Sequence, residues 1–144
     1  MNEHELIELL NELVALPAES EWVEFKMNKG SVTDEVIGEY ISAMSNGATI
    51  KNKPFGYLIW GVENGTHEIK GTNFRFSQAK HGGNQELELF LRLNLYPKIN
   101  FEIYEFVYQS FPVTLLRIPA AKAEPTNFQK KPYIRIGSNK TDLP

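Results

Sequence analysis

Hydrophobic residues recur along the chain with two different periods, and the period predicts which segments are helices and which are strands. In the first segment, EHELIELLNELVALP, leucines at positions 6, 9, 10 and 13 recur at helical spacing, with glutamates on the opposite side. Pro17 is expected to end this helix. The next segment, WVEFK, alternates, with Val23 and Phe25 on one face, which predicts a half-buried strand.

The middle of the chain predicts a second helix and a central strand. In SVTDEVIGEYISAMSNGA, Thr33 is a candidate N-cap for an apolar stripe, and Asn46 and Gly47 are expected to end the helix. FGYLIWGV is a nearly continuous apolar run, as in a strand that is covered on both faces. ENGT then predicts a hairpin turn into HEIKG.

The second half predicts one more helix and three more strands. Residues 72–83 lack periodicity and are expected to form an exposed loop; a helix follows from Asn84 to Pro97. KINFEIYEFVYQ and FPVTLLRIP are expected to be strands, AAKAEPTNFQKK a loop and PYIRIGS a last short strand. This order predicts an α+β fold in which helices pack on a mixed, mostly antiparallel sheet.

Composition limits the class of protein. The 144 residues fit one domain, and 42% hydrophobic with 23% charged residues is ordinary for a globular protein. The chain has no cysteine, no apolar run of the roughly 18 residues that span a bilayer, and an acidic rather than basic N-terminus. We therefore expect a cytoplasmic protein without a membrane segment. The ending GSNKTDLP suggests one domain, residues 1–144, from the N-terminal part of a longer protein.

Charge is distributed unevenly. Residues 1–72 hold 5 Lys or Arg and 12 Asp or Glu, a balance of −7, whereas residues 73–144 hold 10 and 6, a balance of +4. An acid-lined site beside a phosphate-binding surface has this distribution, but chance asymmetry of this size is common.

Several chemistries are excluded by their missing motifs. The chain contains neither the G-x-x-x-x-G-K-[ST] phosphate loop nor a G-x-S-x-G nucleophile elbow. Its three histidines lack the spacing of metal ligands, which argues against a zinc or haem site.

Carboxylate chemistry remains. Glu24 lies within one predicted strand, Glu19 precedes it, and Glu63 directly follows the central strand. If the three side chains converge, they would bind Mg²⁺ or Mn²⁺ and activate water against a phosphodiester, with Lys26 neutralising charge or contacting phosphate. The alternative is that these acids only keep a strand and a turn soluble.

A second candidate is cationic. Lys130, Lys131 and Arg135 surround Tyr133, and cations with an aromatic ring suit a nucleic-acid backbone with a stacked base. A charged edge strand that resists aggregation is the equally plausible alternative.

Three blocks of the sequence resemble a known family, the Schlafen-type AlbA-like domain, which is described as DNA-binding. They are ESEWVEFK, then ISAMSNG with GYLIWGVENGTHEIKG, and KPYIRIGSN. The resemblance implies an α+β fold and, in bacteria, a module of transcriptional regulators or helicase-like proteins. Eukaryotic relatives include metal-dependent endoribonucleases, whose three acids map onto Glu19, Glu24 and Glu63.

The sequence departs from the family in two places. The nucleases usually have aspartate where this chain has Glu63, and the glycine-rich turn before the central strand is replaced by NGATIKNKPFG. Lys51 and Lys53 in that turn are hypothesised to supply charge for phosphate.

Three functions follow, in order of preference. The first is a non-enzymatic module that binds DNA or RNA through Lys51, Lys53, Lys130, Lys131 and Arg135. The second is a ribonuclease dependent on Mg²⁺ or Mn²⁺. The third is a protein-interaction domain that forms a homodimer.

Overall fold

The computed structural model describes residues 1–17, 20–136 and 139–143. Within these ranges the α-helices are α1 (Glu3–Val14), α2 (Asp34–Ile50) and α3 (Leu87–Leu93), and Phe76–Gln78 forms a short 3-10 helix. The strands are β1 (Val23–Lys26), β2 (Phe55–Trp60), β3 (Leu95–Tyr96), β4 (Glu102–Tyr108), β5 (Phe111–Pro119), β6 (Asn127–Phe128), β7 (Lys131–Ile136) and β8 (Asn139–Asp142).

The strands form two four-stranded sheets. The first has the order β1-β2-β5-β4, with β1 parallel to β2 and the other pairs antiparallel. The second has the order β3-β6-β7-β8 and is antiparallel throughout. The predicted α+β class, with mixed and mostly antiparallel strand pairing, is confirmed, but the strands are divided between two sheets.

The core lies on both faces of the first sheet. On one face, Leu10 of α1 belongs to the same buried cluster as Phe25 and Ile59. On the other face, Ile41 and Met44 of α2 pack in a cluster that includes Trp60. Strand β2 is therefore covered on both sides, as its apolar run predicts. The second sheet covers the far side of α2, because Phe128 of β6 joins the same cluster.

Helix α2 begins where the sequence predicts and ends later. The Thr33 side chain accepts a hydrogen bond from the Val36 N–H, as an N-cap does. The predicted end at Asn46 and Gly47 is wrong, since the helix continues to Ile50. Asn46 bonds a neighbouring segment instead of capping the helix, and Gly47 lets the helix approach the Glu21 carbonyl, which would lie 1.9 Å from an added Cβ.

The segments after β2 also differ from prediction. The expected hairpin reduces to one isolated bridge, Val62 to Ile69, because the chain turns away after it. The expected exposed loop, residues 72–83, instead buries Phe74 and Phe76, whose rings pack near Trp60. An aperiodic segment can contribute to a core when isolated side chains point inward, and periodicity does not detect this.

The third helix is shorter than predicted. It covers only Leu87–Leu93, and Leu95–Tyr96 becomes strand β3 paired with β6, a strand that lies within the expected loop. The last predicted strand is confirmed as β7, which pairs antiparallel with β8. None of the helices in the described ranges is long and apolar enough to cross a membrane.

Candidate functional site

Glu24 is buried in the centre of β1. Glu24 is 2% exposed, so this position of the predicted polar face does not face solvent. The cover comes from β7, whose Arg135 places Nη2 against Glu24 Oε1 in an ion pair with both side chains almost fully buried. Burial raises the pKa of the Glu24 carboxyl, while the charges of Arg135, Lys26 and Lys140 act in the opposite direction.

Arg135 is held by the backbone as well as by Glu24. Its Nη1 donates to the carbonyl oxygens of Ser20 and Val23, each at 2.7 Å. Its Nε is buried and has no hydrogen-bond partner among the described residues. The guanidinium predicted to contact phosphate is therefore inside the protein, where it ties β7 to the start of β1.

Two further cations, both partly exposed, act on the Glu24 carboxyl. Lys26 Nζ is 3.5 Å from Glu24 Oε2 and donates to the Tyr40 hydroxyl at 3.2 Å. Lys140 Nζ lies 5.0 Å from the Tyr40 ring centroid and is paired with Glu39. The Lys26 side chain is 24% exposed, so it retains limited access to a ligand.

Glu63 lies in a separate environment beyond the carboxyl end of β1. The turn before it is fixed by the Gly61 N–H, which donates to the Lys26 carbonyl at 2.7 Å. One Glu63 oxygen contacts Lys70 Nζ at 2.6 Å and the other accepts from the Thr66 hydroxyl at 3.0 Å. These hydrogen bonds hold the pKa of Glu63 below its ordinary value. Glu19 lies outside the described residues.

The two described acids do not fit a divalent metal as they stand. Glu24 faces a guanidinium and Glu63 faces an ammonium, so the oxygens that would coordinate a cation are already neutralised. In residues 1–17, 20–136 and 139–143, no group of three or more His, Asp or Glu is placed to hold a metal ion. The three-acid site therefore stays a prediction.

The predicted lysines of the turn after α2 are at the surface. Lys51 lies 3.6 Å from Glu21, and its side chain is 48% exposed. Lys53 is exposed, with Nζ 5.0 Å from the Trp22 ring centroid. Both are accessible to an anionic ligand, and Lys53 takes part in none of the ion pairs among the described residues.

The predicted cluster on β7 is divided between two places. Lys130 and Lys131 are exposed at the tight turn between β6 and β7. Tyr133 is half-buried against the core cluster around α2, and Arg135 is buried beside Glu24. A strand rises about 3.3 Å per residue, so roughly 13 Å of strand separates Lys131 from Arg135.

A surface that the sequence reasoning missed extends the Lys130 turn. Two adjoining depressions of about 440 and 540 Å³ share Lys98 in their walls, one also bordered by Lys122 and the other by Lys130. We call this surface the basic groove and define it by Lys98, Lys122, Lys130 and the exposed Tyr96. None of the ion pairs among the described residues involves these three lysines. Glu124 is an acidic residue in the wall of the smaller depression.

A buried polar network fixes the loops that carry the basic groove. Asn46 of α2 donates to the Thr126 carbonyl at 3.0 Å and to the Tyr133 carbonyl at 2.8 Å, and its oxygen accepts from the Thr126 N–H at 2.7 Å. Ser42 and Ser45 bond the same Thr126. The loop between β5 and β6 also donates from Ala121 N–H to the Ser45 carbonyl at 3.1 Å. In the sequence, the α2 residues of this network belong to the run SAMSNG. Its serines and asparagine are also typical of a helix end, so the sequence did not indicate the network.

The fold is therefore that of an α+β domain in which two sheets pack around the central helix α2. The chain belongs to the family described as Schlafen, AlbA_2, which matches residues 19–144. No curated protein matches the chain.

Solved structures with a similar fold are distant in sequence. The crystal structure of the DIP2311 protein from Corynebacterium diphtheriae is 18% identical with a TM-score of 0.59, over 97% of this chain and 26% of that one. The solution structure of the N-terminal domain of a RecG-related protein from Nitrosomonas europaea is 20% identical with a TM-score of 0.48, over 94% and 90%. The first likeness supports the fold, and this chain spans about a quarter of that protein.

Proposed function

We propose that the domain is a non-enzymatic module that binds the phosphate backbone of DNA or RNA. The observation that supports it best is the basic groove, where three exposed lysines from three loops line adjoining depressions and form no ion pair among the described residues, with Glu124 as the one acid in the lining. The protein as a whole carries a charge of −3, so this concentration of positive charge is local. Membership of the Schlafen, AlbA_2 family supports the same role.

The lysines predicted from sequence extend this surface. Lys130 belongs to the groove, and Lys131 follows it at the same turn. The turn with Lys51 and Lys53 lies next to the β5–β6 loop, because the Ala120 N–H donates to the Pro54 carbonyl at 3.1 Å. Cations in neighbouring loops would contact successive phosphates of one strand.

Binding is favoured over hydrolysis because both described acids are already paired with cationic side chains. The Glu24 carboxylate is ion-paired and almost fully buried in β1, and Glu63 is paired with Lys70 in the turn after β2. A nuclease would need both acids to exchange their cationic partners for a metal, together with Glu19. The binding proposal requires no such rearrangement.

Fluorescence anisotropy with labelled DNA and RNA oligonucleotides at increasing salt tests the proposal. We expect affinity to fall with salt, with a log–log slope of about −0.7 to −0.9 per phosphate contact. The double variant Lys130→Gln/Lys131→Gln should make that negative slope less steep, by roughly one to two. Lys80→Gln is the control for removal of one exposed lysine, since Lys80 forms a β-bridge with Glu86 just before α3, whereas the groove lies at the last residues of that helix. Absence of binding at low salt would refute the proposal.

The enzymatic alternative is tested with the same protein. RNA is incubated with Mn²⁺ or with chelator, and the wild type is compared with Glu63→Gln, a surface substitution that should leave the fold intact. We expect intact RNA in every lane. Mn²⁺-dependent cleavage that Glu63→Gln abolishes would replace the binding module with a nuclease. Light scattering that shows a stable dimer indifferent to nucleic acid would favour the interaction domain.

A further inference from the structure

Tyr96 has an unusual position for an aromatic residue. It is 64% exposed at the end of the edge strand β3, whereas its neighbour Leu95 is buried in the core at 4%. Tyr96 lines the larger depression of the basic groove together with Lys98 and Lys130. A volume of about 540 Å³ is in the usual range of a small-molecule site.

We infer that this depression is a subsite for one unpaired base of a single-stranded nucleic acid. The base stacks on Tyr96, and the phosphates on either side contact Lys98 and Lys130. The inference rests on the proposed function and specifies its ligand. It predicts single strands, because a base within a duplex is already stacked and its face is not available to a side chain.

The chemistry of the lining supports a base more than another anionic group. An aromatic face binds any base by stacking, and the lysines supply the charge for the backbone. Asn127 and Gln129 line the same depression with amides that both donate and accept hydrogen bonds, as base edges require. The lining residues in the described part of the chain include two lysines and no acid.

The parts of the subsite are held in place before any ligand arrives. Strand β3 pairs with β6, with Leu95 opposite Phe128 and Tyr96 opposite Asn127. The Gln129 N–H donates to the Asn94 carbonyl at 2.9 Å, which joins the turn that carries Lys130 to the end of α3. Phe128 is 1% exposed and anchors this turn in the core. Such preorganisation reduces the entropy that binding would otherwise cost.

Anisotropy with one sequence, offered as a single strand and as a duplex, tests the inference. We expect the single strand to bind more tightly, and Tyr96→Ala to weaken that binding by roughly five- to a hundredfold, as loss of one stacked base does. Tyr96→Phe keeps the stacking face and should bind within about twofold of wild type. Phe111→Ala removes another exposed aromatic ring, 41% exposed, at the first residue of β5, whereas the basic groove borders Pro119 at the last residue of that strand; this variant should bind like wild type.

The outcomes separate this inference from the function on which it rests. If Tyr96→Ala binds like wild type while Lys98→Gln and Lys130→Gln weaken binding, the surface binds backbone only and the subsite is refuted. Equal affinity for single strand and duplex would refute it as well. If the wild type binds neither, the proposed function itself fails. Thermal melts of each variant confirm that Tyr96→Ala leaves the exposed edge strand folded.

Discussion

The carboxylate of Glu24 on β1 and the guanidinium of Arg135 on β7 form a buried ion pair that joins the two sheets. The two residues are 2% and 4% exposed, and Arg135 also bonds two carbonyls beside β1. A pair of this kind is costly to break on one side only, since Arg135 is then left without a carboxylate and Glu24 keeps only Lys26, at 3.5 Å.

We therefore predict that Glu24→Gln and Arg135→Met each lower the free energy of unfolding by about 3 to 5 kcal/mol. The double variant should lose less than the sum, because neither charge is then left alone. Urea unfolding of the three variants and the wild type measures the coupling. Losses that add to within about 0.5 kcal/mol would show that the pair does not act as a unit.

The polar network of Asn46 gives a second prediction. Asn46→Ala removes three hydrogen bonds and leaves the buried Thr126 N–H unsatisfied, which should cost about 2 to 4 kcal/mol. Asn11→Ala is the control, because the Asn11 side chain bonds Tyr108 at the surface and should cost less than about 1 kcal/mol. Thermal and urea unfolding give both values. Similar costs for the two variants would contradict the structural importance of the network.

Gly47 gives a third prediction, in which packing opposes helix propensity. Gly47→Ala in the helix interior should gain about 1 kcal/mol from propensity alone. An added Cβ would meet the Glu21 carbonyl at 1.9 Å, so we expect a net loss of about 1 to 3 kcal/mol instead. Gly65→Ala, where nothing lies within 4 Å, should change stability by less than about 0.5 kcal/mol. A stabilised Gly47→Ala would show that α2 does not approach Glu21 closely.

The lowered pKa of Asp34 predicts how the free energy of unfolding depends on pH. Although burial acts in the other direction, hydrogen bonds from His81 and Lys29 lower the pKa of Asp34 below its ordinary value of 3.8. The folded form thus binds its proton less readily than the unfolded chain, so the stabilisation is present above pH 3.8 and is lost as pH falls through the lowered pKa.

The matching experiment compares urea midpoints of the wild type and Asp34→Asn from neutral pH into the acid range. We expect the wild type to be the more stable at neutral pH, and the difference to shrink below pH 3.8. His81→Gln removes the 2.7 Å contact to Asp34. In that background, Asp34→Asn should lower the urea midpoint at neutral pH by less than it does in the wild type. A difference that is the same at every pH would contradict the role of the charge.

Local patterns in the sequence were sufficient for most elements. Leucines at helical spacing predicted α1, the Thr33 cap predicted the start of α2, and the apolar run predicted a central β2. These patterns were insufficient where the same residue type occurs both at helix ends and in tertiary contacts of a helix interior. Asn46 and Gly47 are typical of a helix end, yet here they serve contacts with Thr126 and Glu21 inside a helix that continues to Ile50.

The sequence by itself determined the α+β class and the central strand, because these depend on short-range periodicity. Only the tertiary structure decided that Glu24 is buried against Arg135 and that Tyr96, Lys98 and Lys130 share one groove. The alternation of a strand shows which side chains share a face. Whether that face meets water or another layer depends on segments far away along the chain, and here β7 closes over Glu24 while β3 reaches β6.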